Sequence, residues 1–317
     1  MSLRHLFERY VQLRQSLGYD YRTAQRVLRG FVTFAEAQGA QVITTDLFLA
    51  WQKAFGQAKP STWAARLGMV RGFAQWLQGQ DPSHEVPSAG LIPARTGRGR
   101  PHIYSEAEIA TIIHTAAQLP SVYGMRGWTC ATLFGLIAVT GLRISEALGI
   151  DGNDVDLEAG VLRVRHGKHG KERLLPLSDS VVAQLSAYSS QRDRLLGKTT
   201  TAYFVSELGL RITDCGARYN FAHVCQNIGL REVQRYGRHG RGPRIHDLRH
   251  TFAARTMIDW YRLGKDGDRE MIKLVTYLGH VNPKSTYWYI EAVPELLALA
   301  CARLDRVELA YKGEEKP

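Results

Sequence analysis

Gly160 to Leu177 reads GVLRVRHGKHGKERLLPL, and this stretch separates the chain from an all-helical protein. Apolar and polar side chains alternate on either side of His166-Gly167-Lys168-His169-Gly170, the pattern of two antiparallel strands joined at a glycine-flanked tip. Moving outward in both directions, the apolar period changes from two to that of a helix. Upstream, Gly127 to Val139 is a long apolar run expected to form a core helix that stops at Thr140-Gly141. Before it, Ser105, Glu106 and Glu108 mark the start of a helix reaching to Leu119, because a serine oxygen and early carboxylates satisfy and complement free amide groups. Residues 81–101, DPSHEVPSAGLIPARTGRGRP, are rich in proline and glycine, which sustain neither helix nor strand, and are expected to be an interdomain linker.

Further upstream, apolar residues recur at helical spacing in four segments: Leu3 to Leu17, Arg22 to Gln38, Thr45 to Phe55 with Thr45 as the expected cap, and Ser61 to Gln78. Downstream of the hairpin the chain reads as helix and loop, up to a closing helix from Pro294 to about Leu309. The fold class is therefore mainly α with a small antiparallel β-sheet, in two domains: a helical domain over 1–80 and a mixed domain over 102–317.

Composition narrows the partners. The 317 residues carry 41 Lys and Arg against 30 Asp and Glu, a net charge of +11, so a polyanion is a plausible partner and nucleic acid leads the class. The excess is uneven: residues 1–100 hold 13 basic against 6 acidic residues, which fits a first domain that grips phosphates. Arg95, Arg98 and Arg100 in the linker, and Arg235, Arg238 and Arg241 in the glycine-rich run REVQRYGRHGRGPR, are candidate backbone contacts; solvated loops are the competing reading. The four cysteines are scattered without a CxxC pair, which fits a reducing cytoplasm. The N-terminus is too charged for a signal peptide, and no uninterrupted apolar stretch reaches the length of a membrane span, so a soluble protein without a membrane partner is expected.

Three segments carry candidate chemistry. In TGLRISEAL (Thr140 to Leu148), Gly141 permits a tight turn, and Arg143 opens a helix with Glu146 three residues on, on the same face. In HDLRHTFA (His246 to Ala253), His246, Arg249 and His250 share one helical face. The spacing approaches the zinc-binding HExxH motif but departs from it: Asp247 is shorter than the glutamate such a site uses, a guanidinium beside a divalent cation is unfavourable, and no third ligand stands at a useful spacing. No metal is expected. In YLGHVNPKSTYWYIEA (Tyr277 to Ala292), His280 follows a glycine turn, and Tyr287 and Tyr289 lie on the next helical stretch. Tyrosines at such places are usually core residues, and helical geometry turns these two about 200° apart, so both cannot face one phosphate.

The order and spacing of Arg143, a glycine-flanked lysine, the His246/Arg249 pair, His280 and a tyrosine nine positions later resemble the catalytic domain of tyrosine recombinases, or phage integrases, over about residues 100–300. The first 80 residues resemble that family's helical, SAM-like core-binding domain. The resemblance implies Arg143 and Arg249 as the arginine pair, Lys168 as the hairpin lysine, His246 and His280 at the two histidine-type positions and Tyr289 as the nucleophile, with Glu146 and His250 in support. Lys171 and Tyr287 are the rivals for the lysine and tyrosine roles. The resemblance also implies a C-shaped clamp on double-stranded DNA at a specific site, four protomers exchanging strands through a Holliday junction, and a final helix that docks either on a neighbouring protomer or within its own chain. YLGHVNPKSTYWYIEAVPELL reads like recombinases carried by transposons and other mobile elements, and the run between HDLRH and YLGH is longer than in chromosome-dimer-resolving relatives.

These residue types suit phosphodiester exchange. Two guanidiniums can clamp the non-bridging oxygens without a metal, because they stay charged and offer paired donors in a plane. Lys168 is the expected acid for the leaving 5′ oxygen, His246 the expected base for Tyr289, and His280 an expected hydrogen-bond donor to phosphate. A 3′-phosphotyrosine keeps the energy of the broken bond, so rejoining needs no cofactor. The rivals are a type IB topoisomerase, which uses similar chemistry to relax DNA, and a catalytically inert DNA-binding accessory protein on the same fold.

Overall fold

The computed structural model describes residues 2–94, 99–165, 172–197, 200–232, 242–279 and 284–302. They fall into two compact units, Met1–Gly99 and Arg100–Pro317.

The first unit holds four helices, α1 (Leu3–Ser16), α2 (Arg22–Ala37), α3 (Thr45–Ala54) and α4 (Pro60–Gln78), close to the expected spans. Their apolar faces meet in a core containing Phe7, Phe31, Phe48, Trp51, Trp63 and Phe73. One local expectation is corrected. Thr44, not Thr45, caps α3: Thr44 has extended backbone and its hydroxyl accepts the Leu47 N–H at 3.1 Å. Thr45 is already helical, and its hydroxyl and N–H are engaged by Glu85 instead. The segment 84–92 packs on this same core, with the Ile43 N–H donating to His84 Nδ1 at 3.1 Å and Val86, Leu91 and Ile92 covering its edge.

The second unit is built around α6 (Met125–Thr140), buried along most of its length. It packs closely on α5 (Glu106–Ala117), which starts with the expected Ser105 cap, reciprocated by Glu108 in a capping box. At the end of α6, Gly141 has φ +63°, and the chain turns at once into the short α7 (Ile144–Leu148).

The hairpin follows as β2 (Val161–Val164) and β3 (Arg173–Pro176), in the register Leu162↔Leu175 and Val164↔Arg173. A two-residue strand, β1 (Val155–Asp156), adds to β2 to complete a three-stranded antiparallel sheet. Leu162, Val164 and Leu175 face the core. Both strands are held by charge at the end next to the tip: Arg165 bonds Asp154 and Asp151 on one side, and Arg173 bonds Glu146 on the other.

The described residues then form α8 (Asp179–Leu196), α9 (Asp214–Asn227), α10 (Ile245–Arg262), α11 (Gly267–Leu278) and α12 (Lys284–Ala292). A further helical stretch covers 294–302, the start of the expected closing helix, whose remainder to about Leu309 lies outside the described residues. A separate small core joins α10, α11, α12 and the 294–302 stretch through Met257, Leu274, Leu278, Tyr289 and Leu296. Among the described residues no helix is long and apolar enough to cross a membrane.

Candidate active site

Glu146, on α7, is the hub of a cationic cluster. Its two carboxylate oxygens accept four hydrogen bonds: the Arg143 N–H at 3.0 Å, Arg143 Nη1 at 2.6 Å, and Arg173 Nη1 and Nη2 at 3.2 and 2.8 Å. Arg249 Nη1 stands 3.9 Å from the same carboxylate. Burial works against ionisation of Glu146, but the Arg173 and Arg143 bonds outweigh it and hold the carboxyl below its ordinary range. One buried anion thus serves three guanidiniums, and the surplus positive charge suits a phosphate.

Arg249 is almost fully buried, at 1% exposure. Its Nη1 donates to the Gly141 carbonyl at 2.6 Å and its Nη2 to the Leu278 carbonyl at 2.8 Å. Burial first, and the charge of Arg143 second, lower its pKa to about 10, so it remains cationic at neutral pH. Arg143 Nη2 donates to the Gly279 carbonyl at 2.9 Å, which ties α7 to the turn after α11. Gly279 has φ +63°, and a Cβ there would lie 3.1 Å from Arg173 Nη1. The glycine of the LGH sequence thus leaves room for guanidinium groups as well as making the turn.

The aromatic side of the site comes from α10 and α12. Tyr289, at 2% exposure, shares a hydrogen bond of 2.7 Å between its hydroxyl and His250 Nδ1. The His250 ring also lies edge-on to His246, with centroids 4.6 Å apart, and 5.7 Å from Trp288. His246 is pushed down to about 4, by burial first and by the charge of Arg249 next, and is neutral at pH 7. A negative charge on Tyr289 acts on Arg249 and favours its cationic form, so phenol and arginine are electrostatically linked. Tyr287 is 45% exposed.

Of the residues expected from the sequence, Arg143, Glu146 and Arg249 meet in one cluster, and His246, His250 and Tyr289 in the adjoining one. The phenol's hydrogen bond goes to His250, expected only in a supporting role, whereas His246 was expected as the base. Lys168 and His280 lie outside the described residues, as do Arg95, Arg98, Arg235, Arg238, Arg241 and the rival Lys171. Arg100 is exposed. Arg173 was missed: in the sequence it is one more cation in the outgoing strand, and only its pairing with Glu146, 27 residues away, distinguishes it. An apolar groove of about 820 Å³ between α5, α6 and α8, lined by Ile113, Trp128, Leu136 and Val181 among others, contains none of these groups. Among the described residues no cluster of His, Cys, Asp and Glu has the arrangement of a metal site.

Comparison with known proteins places the chain among integrases and recombinases. The pattern that defines the phage integrase family matches residues 104–295. The chain is 39% identical over 310 residues to the integrase/recombinase y4rB of Sinorhizobium fredii, covering 96% of this chain and 98% of that one. It is 30% identical over 226 residues to the tyrosine recombinase XerC of Serratia marcescens, covering 71% and 67%. Its fold is similar to that of the Tn1549 transposon integrase in complex with transposon right-end DNA, with a TM-score of 0.66 and 15% identity over 97% of this chain and 100% of that one. A lambda integrase tetramer bound to a Holliday junction is also similar, with a TM-score of 0.61 and 17% identity over 89% and 78%.

Proposed function

This chain belongs to the phage integrase family and is an enzyme of the tyrosine recombinase kind; on that premise we propose that it cuts and rejoins DNA at a specific site through a 3′-phosphotyrosine on Tyr289, in the integration, excision or transposition of mobile DNA. The observation that carries the reading is the buried Tyr289 hydroxyl, hydrogen-bonded to His250 on the helix that also carries Arg249.

Attack on a phosphodiester places further negative charge on the two non-bridging oxygens, and Arg143 and Arg249 are the groups assigned to hold them. Glu146 keeps both guanidiniums in place, as its bonds to Arg143 and its proximity to Arg249 support. Lys168 is assigned as the acid that protonates the leaving 5′ oxygen, and His280 as a donor to phosphate. The proposed step uses neither metal nor nucleotide, since the phosphotyrosine bond stores what rejoining needs.

The basic helical unit over 1–80 is assigned to the DNA backbone, with Arg95, Arg98, Arg100, Arg235, Arg238 and Arg241 as further phosphate contacts. Four protomers, of this chain or with related recombinases, are proposed to act on the junction. The chain would then work in the cytoplasm, on the bacterial nucleoid.

A DNA duplex carrying the target site and nicked beside the cleavage position tests the reading, because the short fragment diffuses away and leaves the enzyme trapped. Wild-type protein should accumulate a covalent DNA adduct, Tyr287→Phe should retain it and Tyr289→Phe should lose it. Adduct formation by Tyr289→Phe refutes the assignment. Absence of any adduct favours the inert accessory protein, and rapid relaxation of plasmids lacking a target site favours the topoisomerase.

A further inference from the structure

Resting on the assignment of Tyr289 as nucleophile, we infer that His250 is the residue that takes the tyrosine's proton during attack and returns it during rejoining.

Four observations lead there. The phenol oxygen and His250 Nδ1 are 2.7 Å apart, a distance at which a proton passes directly between them. Tyr289 is 2% exposed, so bulk water is poorly placed to receive the proton and a protein group must do so. His246, the base expected from the sequence, lies edge-on to His250 with ring centroids 4.6 Å apart, and burial beside Arg249 has made its ring a weak base. His250 also follows Arg249 directly on α10, so one rigid helix carries both a phosphate clamp and the proton acceptor. The spacing between the two is then fixed by helix geometry and does not depend on loop closure.

The step balances. The phenol O–H bond breaks and its proton moves to Nδ1. The phenolate oxygen forms a bond to phosphorus as the bond from phosphorus to the 5′ oxygen breaks, and the general acid protonates that 5′ oxygen. In rejoining, a 5′-hydroxyl gives its proton back to the acid, and His250 reprotonates the departing tyrosine. His246 is left as a neutral neighbour that supports the His250 ring.

The test is the single-turnover rate of covalent adduct formation on the nicked duplex, for His250→Gln, His250→Ala and His246→Gln. Each is also made with Tyr289 replaced by 3-fluorotyrosine, whose phenol is more acidic. Glutamine keeps a hydrogen-bonding group near the phenol but cannot accept a proton at neutral pH. Proton transfer predicts that both His250 variants slow by about 10²-fold or more, the usual worth of a positioned base. It also predicts that 3-fluorotyrosine restores rate in the His250 variants by a larger factor than it changes wild type or His246→Gln. Near-wild-type cleavage by His250→Gln overturns the proposal in favour of a positioning role, as does an equal fluorotyrosine effect in all backgrounds. If His250→Ala fails to fold, the glutamine and fluorotyrosine results decide alone. Adduct formation by Tyr289→Phe would instead overturn the nucleophile assignment beneath it.

Discussion

Glu146→Gln removes the anion at the centre of the guanidinium cluster while preserving shape. The carboxylate accepts two hydrogen bonds on each oxygen, so turning one oxygen into an NH₂ replaces two acceptor contacts with clashing donors. The remaining charge on Arg143, Arg173 and the buried Arg249 then lacks its counter-ion. Breaking a buried pair by neutralising one partner costs about 3–5 kcal/mol. With roughly 2–4 °C of melting temperature per kcal/mol for a unit of this size, the transition of the second unit should fall by about 6–20 °C. Differential scanning calorimetry measures this directly, and DNA should stabilise the variant more than wild type, because phosphate replaces the missing charge. The effect has a pH signature. Since the folded pKa of Glu146 is depressed, its stabilisation is fully present above the ordinary glutamate value of about 4.3 and is lost as the pH falls through the lower folded value. A melting temperature within about 2 °C of wild type would refute the view that this carboxylate organises the site.

Arg249→Lys should reduce the rate of adduct formation by about 10²-fold or more, because an ammonium cannot hold the Gly141 and Leu278 carbonyls and a phosphate in one plane; single-turnover gels check this. His246 titrates at about 4 when folded and near 6.5 when unfolded, so the unfolded chain binds the extra proton and stability falls as the pH drops from 6.5 towards 4. The loss should approach about 3 kcal/mol, and denaturant titrations of His246→Asn should show a shallower slope over that window. Gly141→Ala would place a Cβ 2.5 Å from Phe252 Cδ1 at φ +63°, and should cost about 2–4 kcal/mol in the same titrations.

The helices of the first unit were legible because their apolar residues repeat at helical spacing and face one core. Thr45 reads as the cap in place of Thr44 because either threonine can cap, and only backbone conformation decides between them. The strand β1 escaped notice because two residues carry no periodicity. In the site, Arg143, Glu146, Arg249 and Tyr289 could be singled out from local spacing and family resemblance. Arg173 and the His250 contact could not, since each depends on a partner 27 or 39 residues away and on the side on which the chain returns. A charged residue in a strand and a histidine in a helix look the same whether they meet solvent or a functional partner.

The two anchors of Arg249 are carbonyl oxygens, those of Gly141 and Leu278. Every amino acid has a carbonyl, so no exchange of side chains at those positions can delete the acceptor; only a change in the path of the chain can. The arginine's placement is therefore insulated from ordinary sequence drift. Damaging substitutions should fall at residues that shape the two turns, and distant homologues can share this guanidinium geometry while sharing few of the residues around it.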